Sequence, residues 1–262
     1  MYKINNFVDN NDVKILEELG PFQVIEYQRD LSVMPHEAIQ AYFCNKMNVK
    51  KRQVVCKLDG NKIVLQPGAM QMMVGNVQST TGIKSAGDFL GKAFRGSVTG
   101  ESAIKPEYTG TGVVVLEPTY KHIILLDVAK WGGSIVLDDG LFMACEATLQ
   151  HKAVARSNLS SALAGGEGLF NLGIQGRGIL CLESACPKEE LIEIIVQNDV
   201  VKIDGNMAIA WSGSLEFTVE RSGKSLIGSA ASGEGLVNVY RGTGRILVAP
   251  VDKKPITPMI KI

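Results

Sequence analysis

The chain has 262 residues, of which 27 are lysine or arginine and 27 are aspartate or glutamate, so its formal net charge is zero. This balance argues against a nucleic-acid partner, because nonspecific attraction to phosphate backbones needs an excess of positive charge. The five cysteines contain no Cys-x-x-Cys pair and indicate neither a disulfide framework nor a zinc knuckle. No apolar signal core and no window of ~18 apolar residues is present, which favours a cytoplasmic protein with reduced thiols.

Residues 1–52 predict an extension of one strand and one helix that packs on the following core. The strand is expected at Phe22–Tyr27, and the helix at 35–47, behind a first-turn proline. Apolar residues fall at helical spacing in this helix: Ile39, Tyr42, Phe43 and Met47. A helix packed on a sheet is the preferred interpretation, and a helix that binds a partner is the alternative. Four basic residues at and after its end predict a solvated face: Lys46, Lys50, Lys51 and Arg52.

One pattern occurs three times between residues 53 and 251. Each copy has an acid, a short extended run, Gly-x-Gly and an apolar run, and the acids Glu101, Glu167 and Glu234 are 66 and 67 positions apart. Each copy also follows a strand, a turn that ends in glycine and another strand. A fixed period of this size indicates a repeated supersecondary unit. We predict a mainly β fold of three antiparallel units, at about 53–119, 120–186 and 187–251, each with about five short strands, and a C-terminal tail at 252–262.

The glycines resemble a phosphate-binding loop, but their spacing excludes one. Gly176-Arg177-Gly178 lacks the third glycine of the dinucleotide fingerprint, and Gly223-Lys224-Ser225 lacks the first glycine of a Walker loop, since position 218 is Thr218. We interpret the glycines as turns between extended runs, where a positive φ is needed. The predicted turn glycines are Gly68, Gly110, Gly112, Gly140, Gly176, Gly178, Gly205, Gly242 and Gly244.

Candidate catalytic chemistry is sparse in this sequence. Glu101, Glu167 and Glu234 are candidate cation ligands if the repeat brings them around one axis. The preferred interpretation is that each accepts hydrogen bonds from backbone donors at the start of its strand. The three histidines, His36, His122 and His151, are too far apart to form a recognisable metal box, and no Gly-x-Ser-x-Gly elbow exists. We therefore predict no catalytic residue, no cofactor and no enzyme.

A connector rich in Ser, Gly and Ala lies within each predicted unit, at 79–99, 152–165 and 222–232. If the units are equivalent, the connectors emerge at the same end of the molecule. Short connector helices there are the expected contact with a protein partner or a membrane surface. The alternative is that their apolar residues cover the end of the β core.

Several of these motifs resemble a known family. The GEGLF and GEGLV copies, PGAM at 67–70 and AWSGSLEF at 210–217 are similar to the altered-inheritance-of-mitochondria family numbered twenty-four. The resemblance covers 53–251 and implies a fold similar to that of the tryptophan RNA-binding attenuation protein, with units about a pseudo-threefold axis. It also implies mitochondrial relatives concerned with inner-membrane organisation, and bacterial relatives labelled as transcriptional regulators or as a domain of unknown function. No catalytic residues are established for the family, so none is transferred.

The expected function is a non-enzymatic binding or scaffold protein that self-associates. One alternative is an RNA-binding or transcription-related regulator, which depends on fold similarity alone. The other alternative is a small-ligand-binding protein.

Overall fold

The computed structural model describes residues 2–81, 105–155, 170–205, 207–221 and 236–251. Within these ranges the chain forms one α-helix and fifteen strands, so the predicted mainly β fold is confirmed. The helix α1 spans Ala38–Lys46, after a 3-10 turn at Pro35–Glu37. The strands are β1 (Val13–Leu19), β2 (Phe22–Tyr27), β3 (Arg52–Leu65), β4 (Met70–Thr80), β5 (Glu107–Leu116), β6 (His122–Asp127), β7 (Ser134–Leu137), β8 (Phe142–Glu146), β9 (Gln150–Ala155), β10 (Phe170–Gln175), β11 (Ile179–Ser184), β12 (Ile192–Asp204), β13 (Ala208–Ser212), β14 (Glu216–Arg221) and β15 (Leu236–Val248).

The strands form two antiparallel sheets. The first has the order β1-β2-β3-β8-β11-β6, with β5 beside β3 and β4 beside β5. The second has the order β12-β15-β13-β7-β10-β9, with β14 beside β15. A core cluster joins the two, because Ile124 and Leu180 of the first sheet pack in the same cluster as Ile135 and Leu172 of the second. The hydrophobic effect on these apolar faces therefore holds the sheets together.

Strand pairing follows one order in the three predicted segments. In the first segment β5 pairs with β3 and β4, and in the third β15 pairs with β12, β13 and β14. In the second, β10 and β11 pair with β6, β7, β8 and β9. The described part of the first segment has three long strands rather than about five short ones, because a bulge between Asp59 and Lys62 lets β3 continue. That the three segments superpose as equivalent units stays a prediction, as do the domain limits.

The predicted turn glycines fall into two structural groups. Three lie in turns with positive φ: Gly68, Gly140 and Gly205. Four lie inside continuous strands rather than at hairpin turns, which corrects the interpretation from sequence: Gly110 and Gly112 in β5, and Gly242 and Gly244 in β15. The remaining two, Gly176 and Gly178, lie between β10 and β11.

Gly110 shows why a glycine is needed inside a strand. Its φ is +122°, and a Cβ atom at this position would overlap the carbonyl oxygen of Asn76 on β4. Glycine therefore lets the backbones of β4 and β5 approach closely where a side chain would force them apart.

Several predicted features lie outside the described residues. They are the three glutamates Glu101, Glu167 and Glu234, most of connectors 79–99 and 152–165, all of connector 222–232, and the tail 252–262. The connector helices stay a prediction, and so do the preferred role of the glutamates as acceptors of backbone hydrogen bonds and their alternative role as cation ligands.

Candidate functional site around the N-terminal helix

A cleft of about 420 Å³ separates α1 from the end of β2 and the segment that leads into β3. The helix side of the cleft is lined by Glu37, Gln40, Ala41, Cys44 and Asn45, and the facing side includes Tyr27, Lys51 and Tyr120. Most of the charged groups around it are paired. Lys51 Nζ lies 2.7 Å from Asp30 Oδ2, and Arg29 Nε lies 2.7 Å from Asp12 Oδ1. A charged ligand would therefore compete with existing ion pairs.

A buried ion pair lies on the strands beside this cleft. Arg52, at the start of β3, places its guanidinium 2.8 Å from the carboxylate of Glu26 on β2, and both side chains are buried. Lys50 Nζ lies 3.3 Å from the same carboxylate. The Arg52 guanidinium also donates to the Asn48 side-chain oxygen at 2.7 Å and to its carbonyl oxygen at 3.1 Å. Burial of two charges costs free energy unless they are paired, which this network achieves.

This ion pair corrects the prediction that the basic residues after the helix form a solvated face. Arg52 is buried, and Lys50 and Lys51 are held by Glu26 and Asp30. Sequence analysis missed Glu26 as a structural residue. Its signal was present, since it is the one charged residue in the otherwise apolar or neutral run FQVIEY.

The apolar side of α1 is the second feature of the site. The helix was expected to pack on the sheet, but none of its residues is buried. Four apolar side chains are 59–77% exposed: Ile39, Tyr42, Phe43 and Met47. The helix residues that line the cleft are small or polar, so α1 turns this side toward the protein and its large apolar side chains toward solvent. The alternative interpretation, a helix that binds a partner, gains support from this orientation.

Local contacts hold the two exposed aromatic side chains of α1 in place. The rings of Tyr42 and Phe43 meet edge to face with centroids 5.5 Å apart, and Lys46 Nζ lies 5.3 Å from the centre of the Tyr42 ring. The helix ends before Asn48, whose φ of +63° cannot continue it. We call the surface formed by Ile39, Tyr42, Phe43 and Met47 the α1 face.

A thiol and an imidazole lie close together elsewhere, on β8 and β9. Cys145 Sγ is 3.5 Å from His151 Nε2, and the His151 ring packs edge-on against Phe142. Burial raises the pKa of the Cys145 thiol to about 12. Burial, with a smaller effect of the Lys105 charge, lowers the pKa of His151 to about 4. Both groups are therefore neutral near pH 7, whereas nucleophilic cysteines need the thiolate form.

The other histidines lie on different elements. His36 lies in the 3-10 turn before α1, and His122 begins β6. In the part of the chain that the structure describes, no three His, Cys, Asp or Glu side chains are grouped so that they could hold a metal ion. No helix in those same ranges has the length and hydropathy needed to cross a membrane.

Comparison with known proteins gives the family of this chain. Residues 46–251 match the family described as Mitochondrial biogenesis AIM24. An uncharacterized protein of Streptococcus pyogenes serotype M6 is 29% identical over 210 residues, which are 77% of this chain and 82% of that protein. The X-ray crystal structure of another Streptococcus pyogenes protein is 26% identical, with a TM-score of 0.58, and the match covers 79% of this chain and 90% of that one.

These matches confirm the resemblance that the glycine-rich copies, PGAM and AWSGSLEF indicated. The similarity of the fold to that of the tryptophan RNA-binding attenuation protein stays a prediction. The matched region begins within α1 and runs to the end of the described chain, so it includes most of both sheets. This chain is a member of the Mitochondrial biogenesis AIM24 family.

Proposed function

We propose that this protein is a non-enzymatic scaffold that works by binding protein surfaces, copies of itself first among them. The observation that carries the proposal is the α1 face. Removing large apolar side chains from water is favourable, by about 25 cal/mol per Å² of apolar surface buried. A helix that exposes such side chains while its small and polar residues face the protein is typical of a surface that another protein covers.

The chemistry of the described side chains also supports binding rather than catalysis. The Cys145–His151 pair is the arrangement nearest to a nucleophile with its base, and burial keeps both groups neutral near pH 7. A neutral thiol whose pKa is about 12 is a poor nucleophile. The pair is better explained as packing beside Phe142.

A second copy is the simplest occupant of the α1 face. Two copies related by a twofold axis would bring the same apolar residues together, and self-complementary contacts of this kind are the commonest in homo-oligomers. Aromatic and methionine side chains, which the face contains, are enriched in such contacts.

The experiment compares molecular masses by light scattering over a range of concentrations. We expect the wild type to be larger than one chain, and Ile39→Ser/Phe43→Ser/Met47→Ser to have a smaller mass with an unchanged circular dichroism spectrum. The fold should survive because no residue of α1 is buried. Val154→Ser, an exposed apolar residue on β9, is the matched control and should keep the wild-type mass. A monomeric wild type, or a triple variant with the wild-type mass, would overturn the proposed role of the face.

The cleft beneath α1 favours one second candidate, the binding of a small ligand. Its volume of about 420 Å³ falls within the range of ligand pockets, and Tyr27 and Tyr120 offer aromatic surface beside polar groups. Native mass spectrometry tests this candidate, since a retained ligand would add a defined mass that Tyr120→Ala reduces. RNA binding gains no such support, because Lys50, Lys51 and Arg52 are paired with carboxylates.

A further inference from the structure

We propose that copies of this chain join head to tail, with the free edge of β12 in one copy pairing with the free edge of β4 in the next. The inference rests on the proposed self-association, and it names a contact separate from the α1 face. Its basis is a strand pairing between segments that occurs twice within one copy, whereas the described residues do not make the corresponding third pairing.

The two pairings that are made join successive segments. Residues 63–65 of β3 lie opposite 144–146 of β8, and residues 135–137 of β7 lie opposite 210–212 of β13. In both, the strand before the glycine turn of one segment (β3 or β7) meets, in antiparallel orientation, the strand after the glycine turn of the next segment (β8 or β13). We call this strand pairing between segments a joint. The same type of joint therefore connects the first segment to the second and the second to the third.

The residues that occupy equivalent positions in the three segments can be assigned from their pairing with the strand that leads into or contains Gly-x-Gly. Ile63, Ile135 and Val201 each lie opposite the residue two positions before the first glycine of Gly-x-Gly: Tyr108, Ile174 and Tyr240. The strands β4, β8 and β13 each carry a bulge of one extra residue, against β5, β11 and β15 respectively: Gln71, Met143 and Ile209. The residues two positions after the bulge therefore correspond to one another: Met73, Cys145 and Trp211.

The third joint is left open in the described chain. Among the described strands, β12 pairs only with β15, and β4 pairs only with β5. The exposed fractions of the three equivalent residues differ in the same way. Cys145 and Trp211, which lie in the two joints, are 0% and 3% exposed, whereas Met73 is 41% exposed. Val200, beside Val201 on β12, is exposed as well.

The two filled joints predict the register of the missing one. Ile63 lies opposite Glu146 and Ile135 opposite Ser212, so Val201 should lie opposite Val74. Lys202 then lies opposite Met73, and Ile203 opposite Met72. Free strand edges present unpaired N–H and C=O groups that another chain can satisfy. Each copy has one edge of each kind, so the contact is heterologous and generates a closed ring or an extending chain of copies.

Disulfide trapping tests this register. In a Cys44→Ser background, the four remaining native thiols are buried. Lys202→Cys and Met73→Cys are introduced into separate, differently tagged copies, which are mixed and oxidised. Residues directly opposite on antiparallel strands lie within the Cα separation that a disulfide allows. We expect a linked product with one copy of each tag, at twice the mass of one chain. Gln78→Cys, at an exposed position farther along β4, replaces Met73→Cys as the control and should not link.

The outcomes separate this inference from the proposed function. Linkage that depends on Met73→Cys supports head-to-tail pairing. Equal linkage through Gln78→Cys, or no linkage while light scattering shows an oligomer, overturns the pairing but leaves the scaffold proposal standing. An intrachain bond alone in the double variant Lys202→Cys/Met73→Cys overturns it too, because the edges would then meet within one copy. A wild type that is monomeric at every concentration overturns both proposals.

Discussion

The ion pair between Glu26 and Arg52 is the place where one substitution should destabilise the chain most clearly. Arg52→Met keeps a long side chain but removes the charge. The Arg52 side chain is 3% exposed and that of Glu26 is 8% exposed, so water cannot replace the lost partner. The variant also removes two donations from the guanidinium to Asn48.

The expected loss follows from what remains near Glu26. Removing one partner of a buried ion pair typically costs about 3–5 kcal/mol, because the other charge stays buried. Lys50, at 3.3 Å, keeps part of the pairing. We therefore expect a loss near the lower end, at about 3 kcal/mol. Since 1 kcal/mol lowers Tm by about 2–4 °C for chains near this size, Tm should fall by about 6–12 °C.

Urea unfolding and thermal melts measure this loss in a double-mutant cycle of Glu26→Leu, Arg52→Met and the double variant. The double variant should recover much of the stability that each single variant loses, because neither charge of the Glu26–Arg52 pair is then left buried without the other. Lys62→Met is the control, since Lys62 pairs with Glu107 at 3.0 Å on the surface, and it should cost less than about 1 kcal/mol. An Arg52→Met loss as small as the control, or single losses that simply add in the double variant, would refute the reasoning.

Three further predictions concern other parts of the chain. Gly110→Ala should lower the free energy of unfolding by several kcal/mol more than Gly60→Ala. Both positions have positive φ, but only a Cβ atom at 110 would overlap backbone atoms. Equal losses measured by urea unfolding would contradict this. Because the pKa of His151 is about 4 in the folded chain and 6.5 is the ordinary value, the unfolded chain binds its proton first as pH falls. Stability is then lost between pH 6.5 and 4, by up to about 3 kcal/mol, and His151→Gln should lose that much less over the same interval, whereas parallel curves would count against the assignment. Burial raises the pKa of the Cys56 and Cys181 thiols, and that of Cys145 to about 12, and Cys186 is buried as well. A thiol reagent at pH 8 should therefore modify only Cys44 in the folded chain, but all five cysteines in urea. Rapid modification of a second thiol before unfolding would show that the core opens.

The sequence by itself determined several of the extended segments, where the helix lies and which family the chain belongs to. The predicted strand at Phe22–Tyr27 has the same limits in the structure, and the predicted helix at 35–47 contains the 3-10 turn and α1. These features depend on neighbours within a few residues, such as a first-turn proline and a short apolar run, so the local pattern is sufficient to predict them.

Only the tertiary structure decided what each segment contacts. The spacing of Ile39, Tyr42, Phe43 and Met47 predicts one apolar side of a helix, but not that this side faces solvent while the polar side faces a cleft. Gly110 was interpreted as a turn because its close partner, Asn76, lies 34 positions earlier in the chain and on another strand. Glu26 and Arg52 are likewise 26 positions apart and meet only because β2 pairs with β3. Burial, close approach and ion pairing depend on residues that are distant along the chain. A local sequence pattern contains no information about which distant residues will come into contact with it.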